Sequence, residues 1–512
     1  MNKIDTPHSF TADAVRAHKD GEPPKEAGGK LNPTALQIAS QYRRDTMSPV
    51  MVSGTLRLAE FALLVLAGIG VSLWYVGAPV AISLQYLVTI LSGGAIAVIL
   101  LELSDGYRMS FLRRPGAKLG RLTLIWAGTL ALIALAAFFL RISEDYSRVW
   151  FAGWFVTGLM ALMVLRLVMA RLIVRWARNG TMERRAVIVG GGKAAEALIR
   201  SLEREPANDI RICGIFDDRD NTRSPPVVAG YPKLGTVEEL VEFARMARID
   251  MLIVSLPLSA QARVLSMLKK LWVLPVDIRM SAHSSELRFR PRAYSYIGSV
   301  PLLDIFDKPI NDWDSVAKRV FDIVFSLLGI ILFSPVMLVT AIAIKLDSKG
   351  PVLFMQKRHG FNNEEINVYK FRSMYADQCD PTAKQAVTKG DPRVTRVGRF
   401  IRKTSIDELP QFFNALNGSL SLVGPRPHAV AGQTRNRLYH EVVDGYFARH
   451  KVKPGVTGWA QINGWRGEID SDEKIRMRTE YDLHYIENWS LLFDLKILFL
   501  TPIKLLKSEN AY

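Results

Sequence analysis

Cysteine is nearly absent. The 512 residues hold two, Cys213 and Cys379, far apart and without CxxC spacing. That excludes a disulfide framework and a cysteine zinc site. The histidines show no metal-ligand spacing, Gly-x-Ser-x-Gly does not occur, and no Ser/His/Asp pattern stands out. Internal repeats and heptads are missing. The start of the chain is polar and contains Pro and Gly, so no cleavable signal peptide is expected. Acidic residues are too few to balance the basic ones, 49 against 66, which leaves a formal net charge of +17. A chain this basic seeks nucleic acid, anionic lipid or a phosphorylated substrate.

Long apolar runs are plentiful, and 49% of residues are hydrophobic. Residues 1–50 read as a disordered, polar N-terminus. Four apolar runs follow, near 54–76, 80–103, 120–140 and 150–174, each close to the roughly 20 residues that span a bilayer. They define a transmembrane region over 51–180. The first connecting loop, Gly77-Ala78-Pro79, is uncharged, whereas the second holds Arg108, Arg113, Arg114, Lys118 and Arg121. Arg171, Arg175 and Arg178 follow the fourth run. The excess of cations on these segments puts both chain ends in the cytoplasm.

Residues 185–300 change character. Ala186 to Val189 reads as a buried strand, and Gly190-Gly191-Gly192-Lys193-Ala194-Ala195 matches a glycine-rich turn into a helix. Asp217 follows a second strand, about where an acid meets a ribose in a dinucleotide site. Gly190, Gly192 and Asp217 are therefore candidate nucleotide-site residues in a Rossmann-like domain. A fifth apolar run, Phe321 to Ile344, is interrupted by Ser334-Pro335. A mid-helix proline leaves the Ile331 carbonyl unpaired and kinks the helix. Lys318 and Arg319 precede the run and Lys345 follows it. Cations at both flanks and a central break argue for a re-entrant hairpin over 317–346, with a single kinked span as the alternative.

The most informative stretch is Asp391 to Pro427. It sets the pair Asp407-Glu408 after Arg393, Arg396, Arg399, Arg402 and Lys403 and ends in Gly424-Pro425-Arg426-Pro427. Arginines grip phosphate oxygens, and a carboxylate pair can hold Mg²⁺ or supply a nucleophile. The competing reading is helix capping. Ser405-x-x-Glu408 is a capping-box pattern, and Pro410 places Asp407 at the helix entrance. On this stretch alone both readings stay open. Lys453-Pro454-Gly455 further along is a stiff loop expected to offer backbone N–H groups to an anion.

Taken together, the blocks after Trp313 resemble the bacterial sugar transferases that load sugar phosphates onto polyprenyl phosphate. The matching blocks are Lys318-Arg319-x-Phe321-Asp322, Ser334-Pro335, Gln356-x-Arg358-x-Gly360, Lys370-Phe371-Arg372-Ser373-Met374, Asp407-Glu408-Leu409-Pro410-Gln411, Gly424-Pro425-Arg426-Pro427 and Lys453-Pro454-Gly455-x-Thr457-Gly458-Trp459. Four membrane helices and a Rossmann-like domain ahead of them are similar to the large, undecaprenyl-phosphate glucose phosphotransferase form. The resemblance implies a C-terminal α/β monotopic catalytic domain over 313–512 with a re-entrant membrane helix. It implies Asp407 as nucleophile and Mg²⁺ as cofactor. For that chemistry Glu408 and Asp407 are the expected metal ligands, and Arg358, Lys370, Arg372, Arg402 and Arg426 are the phosphate-binding candidates. The partners would be a UDP-sugar, undecaprenyl phosphate and the bilayer, without nucleic acid and with a homodimer left open. The reaction would be the first membrane step of exopolysaccharide, capsule or O-antigen synthesis. It would run on the cytoplasmic face of the bacterial inner membrane.

Two other classes share parts of this layout. Membrane-bound nucleotide-sugar dehydratases need NAD and a Tyr-x-x-x-Lys pair, and none of the 15 tyrosines has lysine four residues later. A non-catalytic assembly scaffold accounts for the helices but not for the Asp407 region.

Overall fold

The computed structural model describes residues 31–42, 48–81, 83–107, 112, 119–178, 182–205, 210–219, 224–256, 261–281, 294–297, 300–379, 390–428, 433–434, 437–443, 445–467, 469 and 471–507. They form two compact units, Asp45–Arg184 and Met1–Arg44 with Arg185–Tyr512. The cationic loop residues Arg108, Arg113, Arg114 and Lys118 lie outside the described residues.

The first unit holds helices Pro49–Tyr75, Leu84–Leu103, Leu119–Phe139 and Arg148–Arg178. With Asp312–Asp347, the described residues contain five helices long and apolar enough to cross a membrane. The chain is built as a multi-pass membrane protein. Lipid offers no hydrophobic drive between helices, so contact rests on small residues and internal polar bonds. Gly68, Gly93 and Gly158 leave room for tryptophan and isoleucine side chains where a Cβ would collide. The indoles of Trp150, Trp154 and Trp126 donate to the carbonyls of Gly68, Leu64 and Phe155 at 3.0, 2.9 and 2.9 Å. Glu60 is fully buried and accepts from Arg166 Nε at 2.6 Å and from the Tyr107 hydroxyl at 2.6 Å.

In the second unit, strands β1 (Arg184–Val189), β2 (Ile210–Phe216), β3 (Val227–Val228), β4 (Tyr231–Gly235), β5 (Met251–Val254), β6 (Asp277–Ser281), β7 (Tyr294–Ile297) and β8 (Val300–Phe306) form one sheet. Its order is β3-β4-β2-β1-β5-β6-β8-β7. The middle five strands follow the order of a doubly wound nucleotide-binding sheet. Successive side chains point to opposite faces of a strand. Val187 and Val189 accordingly enter one core and Ala186 and Ile188 the other. The expectation of disorder up to residue 50 is corrected for residues 31–42. Pro33–Gln41 is a helix capped by Asn32, and its Ala35 and Ala39 are buried in the α/β core. The alanines are too small and too few to register as an apolar face in the sequence.

The C-terminal fold begins with helix Asp312–Asp347, which runs on through Pro335, so the expected interruption at Ser334-Pro335 is corrected: the backbone stays helical there. The Ile331 carbonyl, which Pro335 cannot satisfy, does not stay open as expected: the Ser334 hydroxyl donates to it at 2.9 Å. Both ends of this helix are tied to one body. Near its start Lys318 donates to Asp494 at 2.6 Å and to the Val423 carbonyl at 2.9 Å. At its end the Asp347 carboxylate accepts from Val397 N at 3.1 Å. Residues 331–336 between them are all exposed. A β-hairpin, β9 (Leu353–His359) with β10 (Glu365–Phe371), follows. Next come helices Arg396–Lys403 and Gln411–Asn417, and strand β11 (Ser421–Val423) pairs in parallel with Gly455–Thr457. Helices Asp472–Glu487 and Leu491–Lys507 complete it.

Candidate active site

Asp407 and Glu408 stand in a single 3-10 turn, Ile406–Glu408, between two helices. Ser405 enters the turn in the left-handed region at φ 60° and makes no side-chain cap, and Pro410 is the N-cap of the next helix. The capping readings of Ser405-x-x-Glu408 and of Asp407 are therefore corrected. The left-handed Ser405 reverses the chain before any helix starts, so the acids point into the fold instead of back along a helix.

The two carboxylates are treated in opposite ways. Glu408 Oε1 accepts from Lys370 Nζ at 3.1 Å, and both Glu408 oxygens bond the Arg426 guanidinium. Burial works to raise its pKa, but Arg426 and Lys370 outweigh this and hold it well below the ordinary range. Asp407 is 9% exposed and accepts no hydrogen bond from the described residues. Burial pushes its pKa up to about 6, against the pull of Lys370 and with a push from Glu408. A carboxylate without donors keeps its lone pairs available for attack.

The β-hairpin sets the cations. Arg358 pairs across from Ile366 and Lys370 from Phe354, so Arg358, Gln356 and Lys370 share one face. Arg358 donates to Gln356 Oε1 at 2.6 Å and to the Pro427 carbonyl at 3.0 Å. Asn414 locks the hairpin to the following helix through Tyr369 N and the Asn367 carbonyl, both at 2.8 Å. Arg402, on the last turn of Arg396–Lys403, acts on Asp407 by its charge, and its side chain makes no hydrogen bond with the described residues. Arg358, Lys370, Arg402 and Arg426 are thus brought together around the acids.

Arg372 is not among them. It is 2% exposed and donates to the Pro351 carbonyl at 2.6 Å, to the Ser348 hydroxyl at 2.8 Å and to the Ser348 carbonyl at 2.9 Å. Two residues beyond Lys370, it clamps the chain leaving the long helix, and its phosphate-binding role is corrected. Of the other cations before the acid pair, Arg393 is paired with Asp391 at 2.6 Å, and Arg396, Arg399 and Lys403 are exposed. In the Lys453-Pro454-Gly455 loop, the Gly455 N–H is spent on the facing segment and is not offered to an anion. Gly424 N donates to Thr457 O and Gly455 N to Pro425 O, each at 2.9 Å. A Cβ on Gly424, Gly455 or Gly458 would strike backbone of the facing segment, so these glycines serve close packing.

In the α/β domain, Gly190 and Gly192 adopt φ of 97° and 79°. Asp217 is buried and does not face outward toward a ribose. Its Oδ2 accepts from Gly191 N at 2.6 Å and from Arg219 Nε at 2.9 Å. The chain's own carboxylate thus takes the glycine-loop N–H that a phosphate would use.

Among the described residues no group of three or more His, Cys, Asp or Glu could hold a metal. Two adjacent carboxylates do suit Mg²⁺, which takes one or two protein carboxylates and completes its shell with substrate phosphate and water. The residues therefore fit a magnesium shared with a diphosphate and not a protein-only cage.

Three arginines escaped the sequence reading, the half-buried Arg466 and the buried Arg478 and Arg449. Arg466 donates to the Ser405 hydroxyl at 2.5 Å and acts on both acids by its charge. It lies between Gly464 and Gly467, whose φ values of 92° and 95° mark a built turn, and a glycine-flanked Trp-Arg is the signal that could have found it. Arg478 holds that turn through the Trp465 and Gly467 carbonyls. Arg449 donates to Asp482 at 2.5 Å and to the Arg426 carbonyl at 2.7 Å.

Known proteins match this arrangement. The bacterial sugar transferase family matches residues 313–508, and a CoA-binding domain family matches residues 102–282. The chain is 39% identical over 366 residues to a UDP-glucose:undecaprenyl-phosphate glucose-1-phosphate transferase of Escherichia coli strain K12, covering 71% of this chain and 76% of that protein. It is 34% identical over 389 residues to a protein so named in Xanthomonas campestris pv. campestris, covering 76% and 80%. It is also 41% identical over 332 residues to an undecaprenyl-phosphate glucose phosphotransferase of Komagataeibacter xylinus, covering 65% and 60%.

Proposed function

The chain belongs to the bacterial sugar transferase family as a polyprenyl-phosphate sugar-phosphate transferase, and we propose that it moves glucose-1-phosphate from UDP-glucose to undecaprenyl phosphate through an intermediate on Asp407. The contrast within the acid pair carries this reading. Glu408 is held by Lys370 and Arg426, whereas Asp407 beside it is buried and has no donor among the described residues.

An ionised Asp407 oxygen attacks the phosphorus that bears glucose. The bond from that phosphorus to the bridging oxygen breaks, and UMP leaves with that oxygen and its electron pair. An acyl phosphate joins Asp407 to glucose-1-phosphate. An oxygen of the lipid phosphate then attacks the same phosphorus and displaces the Asp407 carboxylate, giving the lipid diphosphate sugar. Splitting the transfer this way replaces one hard step with two easier ones. Arg358, Arg402, Arg426 and Lys370 counter the phosphate charge in a buried site, where such charges act strongly. Magnesium, when bound, would offset the diphosphate charge, with Asp407 and Glu408 the carboxylates to hold it.

Both ends of the Asp312–Asp347 helix are tied to the catalytic body, and residues 331–336 between them are exposed, with the Phe333 ring stacked on Phe412 at 6.2 Å. This supports a helix that enters and leaves the inner membrane on the cytoplasmic face, where UDP-glucose is available. The test is incubation with UDP-glucose alone. Wild type should release UMP and gain the mass of one hexose phosphate, and Asp407→Asn should do neither. Turnover by Asp407→Asn would overturn the covalent reading. UMP release only when lipid phosphate is present, with no mass gain, would replace it by direct attack in a ternary complex.

A further inference from the structure

The segment Tyr446–Lys451 is a 3-10 helix entered through Gly445 at φ 71°. Three residues per turn align positions three apart and divide this short helix into sides. Tyr446 and Arg449 share the side toward the active site. Arg449 is 1% exposed; it donates to Asp482 at 2.5 Å, to the Arg426 carbonyl at 2.7 Å and to the Tyr446 hydroxyl at 3.4 Å, and it bonds His428 Nδ1. Phe447 and Lys451 meet the α/β domain. The Lys451 ammonium lies 5.3 Å from the Trp272 ring and 5.4 Å from the Phe306 ring. The Arg245 guanidinium lies 5.6 Å from the Phe447 ring. Gly445 lies so close to the Trp272 indole that a Cβ there would overlap it.

One six-residue segment therefore touches aromatic and cationic groups of the α/β domain and the backbone of an active-site arginine. Resting on the function proposed above, we propose that the α/β domain is a positioning element for the transfer reaction. Trp272, Phe306 and Arg245 fix the 3-10 helix, and Arg449 within it sets where Arg426 stands over Glu408. Arg449, Lys451 and Trp272 are positioning residues. Cation–π contacts hold the helix at one side and a buried charged network at the other. A shift at Trp272 reaches Arg426 through two residues of rigid backbone. The required placement is that of a group acting on the reacting phosphate, so its loss reduces turnover more than substrate capture.

The test uses the full-length protein in lipid nanodiscs, with kcat and KM for UDP-glucose measured separately. Trp272→Leu, Lys451→Met and Arg449→Lys should each lower kcat about tenfold with KM changed less than about twofold. Trp272→Leu combined with Arg449→Lys should be no worse than the poorer single variant. Lys451→Met keeps the side-chain length and serves if Trp272→Leu melts early. Unchanged kcat in Lys451→Met, or effects that multiply in the double variant, would overturn the inference. Asp407→Asn is measured alongside. If it is inactive while the double variant is multiplicative, only the positioning role fails; if it turns over, the aspartyl reading fails whatever the double variant shows.

Discussion

At the residue scale, Asp407 carries two opposed consequences of one burial. Its pKa is pushed up to about 6, so the ionised form, the reactive one in the proposed mechanism, is lost on acidification through that value. The acid limb of kcat/KM should therefore fall with an apparent pKa near 6, and not near the roughly 4 of an ordinary aspartate. Stability runs the other way. A carboxyl whose pKa rises on folding binds its proton more tightly in the folded state. Its favourable contribution is complete below the unfolded pKa of about 4 and is lost as pH rises through about 6. Asp407→Asn should thus abolish transfer yet raise the melting temperature at pH 7.5, as scanning calorimetry would show. Arg372 makes the contrasting prediction. Its guanidinium holds Ser348 and Pro351 instead of substrate. Arg372→Gln should cost about 3 kcal/mol of stability and leave KM for UDP-glucose nearly unchanged. A large rise in KM at full stability would return Arg372 to the phosphate site.

At the element scale, the long helix is governed by Ser334 and Pro335 acting together. Proline removes one ladder bond, and the preceding serine fills the vacated Ile331 carbonyl. Replacing Pro335 by Leu therefore gains less than the roughly 3 kcal/mol of a proline in an uncompensated helix. It still restores the regular ladder. About 24 apolar residues at 1.5 Å each can cross the roughly 30 Å hydrocarbon core. With Cys213 and Cys379 replaced and Lys349→Cys introduced, an impermeant maleimide should not label intact cells. Partial labelling is expected once Pro335→Leu is added. Labelling without that change would show a full span and move the catalytic fold away from cytosolic UDP-glucose.

At the scale of the whole molecule, the membrane unit and the catalytic unit are stabilised by different physics. The α/β and catalytic folds bury apolar side chains from water, whereas the membrane helices rely on tryptophan bonds, glycine notches and the Glu60–Arg166–Tyr107 cluster. Removing one partner of a buried ion pair strands the other, at about 3–5 kcal/mol. Glu60→Ala should lower the thermal midpoint of the purified protein sharply. Glu60→Leu with Arg166→Met should recover most of it, because neither charge is then left alone. Equal losses in the single and double variants would assign the cluster a role other than packing.

Read along the chain, apolar run length was enough to place the membrane helices, and strand patterning with a glycine turn was enough for the α/β sheet. Both are local properties: about 20 apolar residues need a bilayer, and alternating faces need two cores. The acid pair and the four cations that the fold gathers around it were equally legible as residue types, although Arg372 was read with them and the fold places it elsewhere. The sequence could not assign partners. Arg358 and Arg372 look alike in neighbouring basic blocks, yet one lines the site and the other clamps the helix exit. Asp217 looks like a ribose ligand until the fold turns it onto Gly191. Arg449 and Arg466 belong to no shared block with Asp407 and reach the site only through tertiary contacts. Which arginine meets phosphate depends on which carbonyls and carboxylates claim the others first, and only the folded chain brings those competitors within hydrogen-bonding distance.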